Sequence, residues 1–297
     1  MSETNDRDLK NSVFASGQEA SKPTTVPVAG STIINPTGAK VGSSLDIELP
    51  VAYIPLPSRG LIYDTPSLKG VEELAVRGMT ASDEDILMNR ALIKKGTVLT
   101  ELTRACLLDK GVDINSMVSG DRIALLFGIR IAAYGAEYAV KHKCRDCETE
   151  CEWSIDLASI PINEMNTDKL RQVAPFKNEF YFELPMTKRQ VIFRYLTGTD
   201  EEQILREVEA RKKNGISDNP LTSSLIRAVI SVDSERDRSA VAKFCRSMPA
   251  KDAAALRKHM VECEPSLDLK KTFVCDNCQA EEVVTVELGP SFFWVNS

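Results

Sequence analysis

The chain has 297 residues, 43% of them hydrophobic and 27% charged, the composition of an ordinary globular protein with room for one large domain or two small ones. No run approaches the roughly 18 apolar residues of a membrane span, and the first residues lack the basic and apolar regions of a secretory signal, so the expected compartment is the cytoplasm and no membrane contact is expected. A formal net charge of −6 gives no global attraction to phosphate backbones, which weighs against nucleic acid as a partner.

From Met1 to about Ser44 the chain is rich in Ser, Thr, Gly, Pro and Asn, and residues 1–44 read as a disordered arm. A plain tail and a segment that orders on a partner both fit that composition. Residues 45–135 read as a body of strands and helices. Leu45-Asp-Ile-Glu-Leu alternates as a strand, and the prolines at 50, 55 and 57 with Gly60 predict an extended stretch wrapped on a surface. Val71 to Arg77 alternates again. Thr80 or Ser82 then caps a helix whose acids at 83 to 85 favour its positive end, a cheaper account of that cluster than paired catalytic carboxylates. Two more helices are predicted, from about Val98 to Asp109 and from Ser119 or Asp121 to Gly135, its terminator.

The next element carries the chemistry. Residues 136–160 hold Cys144 and Cys147, and residues 266–297 hold Cys275 and Cys278, with 127 residues between the pairs. A tight turn between two cysteines aims both sulfurs at one point, and two such knuckles complete the tetrahedral shell of a structural zinc site. The surroundings repeat as well. Aligning Lys143-Cys-Arg-Asp-Cys with Val274-Cys-Asp-Asn-Cys brings Trp153, Ile155 and Leu157 onto Val284, Val286 and Leu288, an alternating series that reads as a strand leaving each knuckle. Cys144, Cys147, Cys275 and Cys278 are thus the expected ligands of one structural Zn2+, held by two facing β-hairpins. Cys151 falls on Glu282 in that alignment, on the strand, and stays outside the ligand set. A disulfide is disfavoured in a cytosolic chain, and a redox pair would need a βαβ context that neither motif has. Cys106, Cys245 and Cys263 fall in helical patterns as buried small residues.

Between the knuckles, residues 161–265 read as an inserted domain. Phe180, Phe182 and Leu184 alternate, as do Val191, Phe193 and Tyr195, which predicts a hairpin. Helices follow from Thr197 to about Lys213, Leu221 to Val232, Arg238 to Ser247 and Pro249 to Cys263. The fold class is therefore α+β: a disordered arm, a mixed body, and a split four-cysteine zinc ribbon carrying a mainly helical insert. Closing so long a loop costs only about 0.6 kcal/mol per doubling of length, whereas a structural zinc site contributes on the order of 10 kcal/mol, so loss of one thiolate is expected to loosen the whole insert.

Several stretches resemble a known family: Leu56-Pro-Ser-Arg-Gly-Leu-Ile-Tyr, Thr80-Ala-Ser-Asp-Glu-Asp within Leu74 to Leu87, Ile129-Arg-Ile-Ala-Ala-Tyr-Gly leading into the first knuckle, Phe244 to Arg257, the second knuckle, and Phe292-Phe293-Trp294. From about residue 45 onward the chain resembles the baseplate hub subunit family of T4-like contractile-tailed bacteriophages. The resemblance implies a non-enzymatic part in the tail baseplate, as a hub subunit or as a factor that assembles the hub. It also implies other tail and baseplate proteins as partners, possible self-association, and a place in the virion after assembly in the host cytoplasm.

The residues themselves ask for no catalysis. His142 precedes a knuckle and His259 lies in a charged helix, neither with a nucleophile beside it, and no phosphate loop, nucleophile elbow or zinc-protease helix occurs. Two other readings stay open. Lys141-His-Lys-Cys-Arg and Lys270-Lys271 would suit a nucleic-acid-binding ribbon in transcription or packaging, and a tail-specific chaperone would suit the arm and the closing aromatics. Phe292, Phe293 and Trp294 are either folded back on the ribbon base or buried in a neighbour, and stand as candidate partner contacts.

Overall fold

The computed structural model describes residues 36–40, 48–213 and 220–294, which form two compact units. The described residues of one, the knuckle unit, fall within Gly30–Arg59, Val71–Glu164 and Pro265–Ser297; those of the other, the inserted unit, fall within Gly60–Gly70 and Met165–Glu264.

The knuckle unit begins with an antiparallel sheet of β1 (Pro36–Lys40), β2 (Glu48–Pro55) and β3 (Glu73–Arg77), in that order. Two expectations change here. Pro36–Lys40, read from the sequence as part of a disordered arm, is a strand: it adds to the edge of β2 through the backbone, which requires no apolar pattern of its own. The rest of residues 1–44, and the predicted strand start at 45–47, lie outside the described residues. The proline-rich stretch is not a surface wrap but the central strand, with Val51, Ala52 and Ile54 buried. Pro50 precedes the β2–β3 register, which starts at Val51↔Arg77, and gives only its carbonyl to the Gly78 N–H at 2.8 Å, so its missing donor costs that ladder nothing.

Helix α1 (Ala81–Met88) starts as predicted at Thr80, whose N–H and hydroxyl both donate to Asp83 at 2.8 Å. Arg77 clamps the same carboxylate at 2.6 and 3.1 Å, so the acid serves as a cap. A short helix α2 (Arg90–Lys95), which the sequence reading lacked, is capped by Asn89 and ends at Gly96 in the left-handed region; six residues with no buried side chain leave no periodicity to see. Helix α3 (Val98–Cys106) precedes α4 (Ser119–Tyr134), whose residues 124 to 130 are all buried and which is the core of the unit. Gly128 lets α4 touch β2, since a Cβ there would overlap the Ile54 side chain, and Gly120 lets it touch the returning chain, where a Cβ would overlap the Pro265 carbonyl. Gly135 ends the helix with φ 83°. The first hairpin follows, β4 (Glu137–Lys143) paired with β5 (Glu150–Asp156), and then β6 (Ile162–Asn163).

The inserted unit holds β7 (Arg171–Gln172), β8 (Phe180–Glu183), β9 (Gln190–Phe193), α5 (Gly198–Lys213), α6 (Pro220–Ala228), β10 (Val229–Val232), α7 (Arg238–Ser247) and α8 (Ala250–Cys263). Its sheet runs β10-β9-β8-β7. The helix predicted to Val232 stops at Ala228, because the β-branched Val229-Ile-Ser-Val instead fills the open edge of β9. Phe180, Phe193 and Tyr195 are buried and pack ring against ring in a core of its own, and Leu256 is buried in the same unit. The chain then re-enters the knuckle unit through β11 (Ser266–Leu267), paired with β6, and the second hairpin of β12 (Lys270–Val274) and β13 (Glu281–Thr285). A 3₁₀ turn at Pro290–Phe293 follows. Among the described residues no helix is long and apolar enough to cross a membrane.

Candidate metal centre

Both knuckles are built by the same backbone. In the first, the Cys144 N–H donates to the Thr149 carbonyl at 3.0 Å and the Glu148 N–H to the Cys144 carbonyl at 3.0 Å; in the second, the Cys275 N–H donates to Ala280 and the Gln279 N–H to Cys275, both at 2.9 Å. Glu148 and Gln279 occupy matching places in the left-handed region, with φ 57° and 60°. That kink turns the chain out of the loop and into the exit strand while both sulfurs keep facing inward.

The four predicted ligands meet. Cys144, Cys147, Cys275 and Cys278 have their sulfurs all within 4.8 Å of one another. The closest cross-knuckle pairs are Cys144 with Cys278 at 3.7 Å and Cys147 with Cys275 at 3.6 Å. Four thiolates at about 2.3 Å from a shared ion would stand about 3.8 Å apart in a tetrahedron, so the sulfurs are close to the spacing such an ion requires. Cys151 stands beside this group, 3.9 Å from the Cys275 sulfur, and outside it. The base is apolar: Phe273 is buried between His142 and Trp153, with ring centroids at 4.5 and 5.6 Å.

The surroundings treat the thiols unequally. The Thr149 hydroxyl and N–H, with the Asn277 amide, pull Cys147 down to about 5. At Cys278 the Ala280 N–H also pulls down, but the neighbouring Cys147 thiol and lost hydration outweigh it and raise the group to about 12. Thiolates so close together ionise as a set only beside a cation, and the four cysteines could hold a metal ion. Thr149 and Asn277, 3.1 Å apart through an amide-to-hydroxyl hydrogen bond, were not read from the sequence; polar residues at the knuckle tips were the only signal.

A second set of contacts was also missed. Glu282 accepts from the Arg145 N–H at 2.6 Å and meets His142 Nε2 at 3.0 Å, tying the hairpins together outside the sulfur cluster. The Arg145 N–H, with His142, holds the Glu282 carboxyl below the usual range against the opposing effect of burial. The basic residues around the first knuckle are answered by acids: Lys141 lies 3.7 Å from Glu152, Lys143 3.1 Å from Glu148 and Arg145 3.7 Å from Glu282.

Of the two readings of the closing aromatics, burial favours folding back on the chain for Phe292 and Phe293, which are fully buried in the knuckle unit. Phe292 packs on Phe127 and Tyr138 at 4.9 and 5.2 Å, and its carbonyl accepts from buried Arg130 Nε at 3.2 Å. Trp294 is half-buried.

No curated protein and no solved structure gives a significant match to the chain. The family model of the T4 bacteriophage base plate protein matches residues 62–294, a span that takes in both knuckles, α4 and the inserted unit. A match over that much of the sequence means that the chain belongs to the T4 bacteriophage base plate protein family.

Proposed function

We propose that this baseplate protein works at the tail hub, as a hub subunit or as the factor that assembles the hub, and that its four cysteines hold one structural zinc ion. The observation that carries the metal reading is the gathering of four sulfurs from two sequence-distant knuckles within 4.8 Å. A shell of four thiolates leaves no open position for a substrate or an activated water, so the ion would fix the two hairpins and perform no reaction. Cys144, Cys147, Cys275 and Cys278 would be its ligands.

The rest of the chain supports a non-enzymatic role. Cys263 lies 4.0 Å from His259 Nδ1, but burial raises that thiol and lowers that imidazole, the reverse of an activated pair. His142 is engaged with Glu282. The proposed partners are other tail proteins of the same virion, reached by a chain whose aromatic turn is already spent on its own core.

Two measurements test this reading. Metal analysis of the purified full chain by mass spectrometry should give one zinc per chain, lost in Cys275→Ser; pairs found oxidised and metal-free would end the zinc proposal. Antibody labelling of isolated baseplates should place the chain at the central hub, or find it absent from finished baseplates that cannot form without it. Label confined to the periphery would end the hub proposal and leave the zinc untouched.

A further inference from the structure

The likeness of the two knuckles is one end of a longer correspondence. At a constant offset of 131 residues, Met117 falls on Met248, Asp121 on Asp252, Leu125 on Leu256, both cysteine pairs on each other and Leu157 on Leu288, without a gap. Upstream the register changes but the pattern continues: Arg77, Thr80 and Asp83 answer to Arg194, Thr197 and Asp200.

The structure gives these pairs the same work, each inside its own unit. Arg77 clamps Asp83 at 2.6 and 3.1 Å, and Thr80 donates to it twice at 2.8 Å; Arg194 clamps Asp200 at 2.6 Å twice, and Thr197 donates at 2.9 and 3.0 Å. Asp121 and Asp252 are each the third residue of their helix and fully buried. Asp121 receives the Ser58 N–H and hydroxyl at 2.9 and 2.5 Å, in the turn after Leu56-Pro57. Asp252 receives the Met186 N–H at 2.7 Å and the Thr187 N–H and hydroxyl at 3.1 and 2.7 Å, in the turn after Leu184-Pro185. Both turns close on a basic residue in the left-handed region, Arg59 with φ 52° and Lys188 with φ 58°, whose N–H returns to the leucine carbonyl. After α3 in the first half and α6 in the second, the chain comes back beside the strand that began the pattern, Leu107 against Val76 and Val229 against Phe193.

Two length differences separate the halves: Asp83 to Asp121 spans 38 residues where Asp200 to Asp252 spans 52, and the other falls earlier in the pattern. Between the Leu-Pro turn and the arginine the first half is 11 residues longer than the second, the length of Gly60–Gly70, the segment that belongs to the other unit.

Shared zinc-ribbon geometry would account for two similar knuckles, but not for buried aspartates holding equivalent turns at a fixed distance upstream of them. We infer that the chain is a tandem duplication of one knuckle-bearing building block, and that the four-cysteine centre is a self-complementary junction in which each knuckle's fitting partner is another copy of itself. The junction part rests on the metal reading above; the duplication does not.

Full-length variants test the two parts separately. In one, Val274→Lys, Asp276→Arg, Asn277→Asp and Gln279→Glu give the second knuckle the tip of the first; in the other, Lys143→Val, Arg145→Asp, Asp146→Asn and Glu148→Gln do the reverse. At least one is expected to keep one metal per chain, and loss of metal by both while far-UV dichroism stays native overturns the self-complementary junction. Amide exchange on Asp121→Asn and Asp252→Asn is independent of metal. Each should speed exchange at its own turn, Ser58 in the first and Met186 with Thr187 in the second, by about tenfold or more. Acceleration in only one, or in neither, overturns the duplication.

Discussion

At the scale of single residues, the chain relies on carboxylates that are buried but fully answered. For Asp83, burial pushes the carboxyl up, and Arg77 with Thr80 pulls it further down; for Asp200, Arg194 and Thr197 do the same, and for Asp252 the Met186 and Thr187 donors do. Their folded-state values lie below the unfolded one, so each contributes stability that is present above about pH 3.9 and is lost as pH falls through the folded value. Denaturation midpoints should therefore drop as pH falls below about 4, and Asp200→Asn should flatten that slope; an unchanged slope would show that the clamp is not the acid-sensitive element. At Gly120 any side chain meets the Pro265 backbone, which cannot yield as a flexible side chain would. Gly120→Ala is expected to cost about 1–3 kcal/mol or more in chemical denaturation, and a neutral result would mean that α4 and the returning chain are free to part.

At the scale of elements, α4 and the aromatic turn form one assembly. Arg130 is buried, its guanidinium 4.8 Å from the Tyr134 ring and 5.8 Å from Tyr138, and it caps both the Phe292 carbonyl and that of Gly135. Phe292→Ala should lower unfolding free energy by about 3–5 kcal/mol, the usual cost of emptying a filled aromatic site; a loss under about 1 kcal/mol would return Phe292 to the list of partner contacts. Elements with local causes were legible in the sequence. The Thr80 cap, the Gly135 stop and the two knuckle turns each depend on residues a few positions apart. What was hidden depends on distant partners. Val229–Val232 is strand and not helix because β9 offers an edge, and Pro36–Lys40 is a strand because β2 does. Asp121 reads only as one of two candidate helix starts and Asp252 is given no role by the sequence, since nothing local says that their partners lie 63 and 65 or 66 residues earlier.

At the scale of the molecule, the four-cysteine cluster and the buried core of the insert fall in different units. The sulfur cluster lies wholly inside the knuckle unit, and the inserted unit has its own buried core. This arrangement argues for a narrower effect of one lost thiolate than loosening of the whole insert, and protease resistance distinguishes the two. Treating the full chain with a strong chelator should open residues 137–156 and 266–288 to protease while most of 178–263 resists. Equal cleavage of both would restore the earlier view.

The knuckle unit is assembled from stretches on either side of the insert, and this sets a calendar for the newborn chain. When Cys147 leaves the ribosome, 127 residues remain before Cys275 follows; at about 5–20 residues per second that is a wait of roughly 6–25 s. During the wait the first knuckle has two sulfurs and no counterpart, and α4 lacks the Phe292 and Pro265 segments that pack on it. The inserted unit, most of which is continuous in sequence, has time to close first. The unit whose described residues are made first is thus the unit finished last, when the second knuckle arrives to face the first.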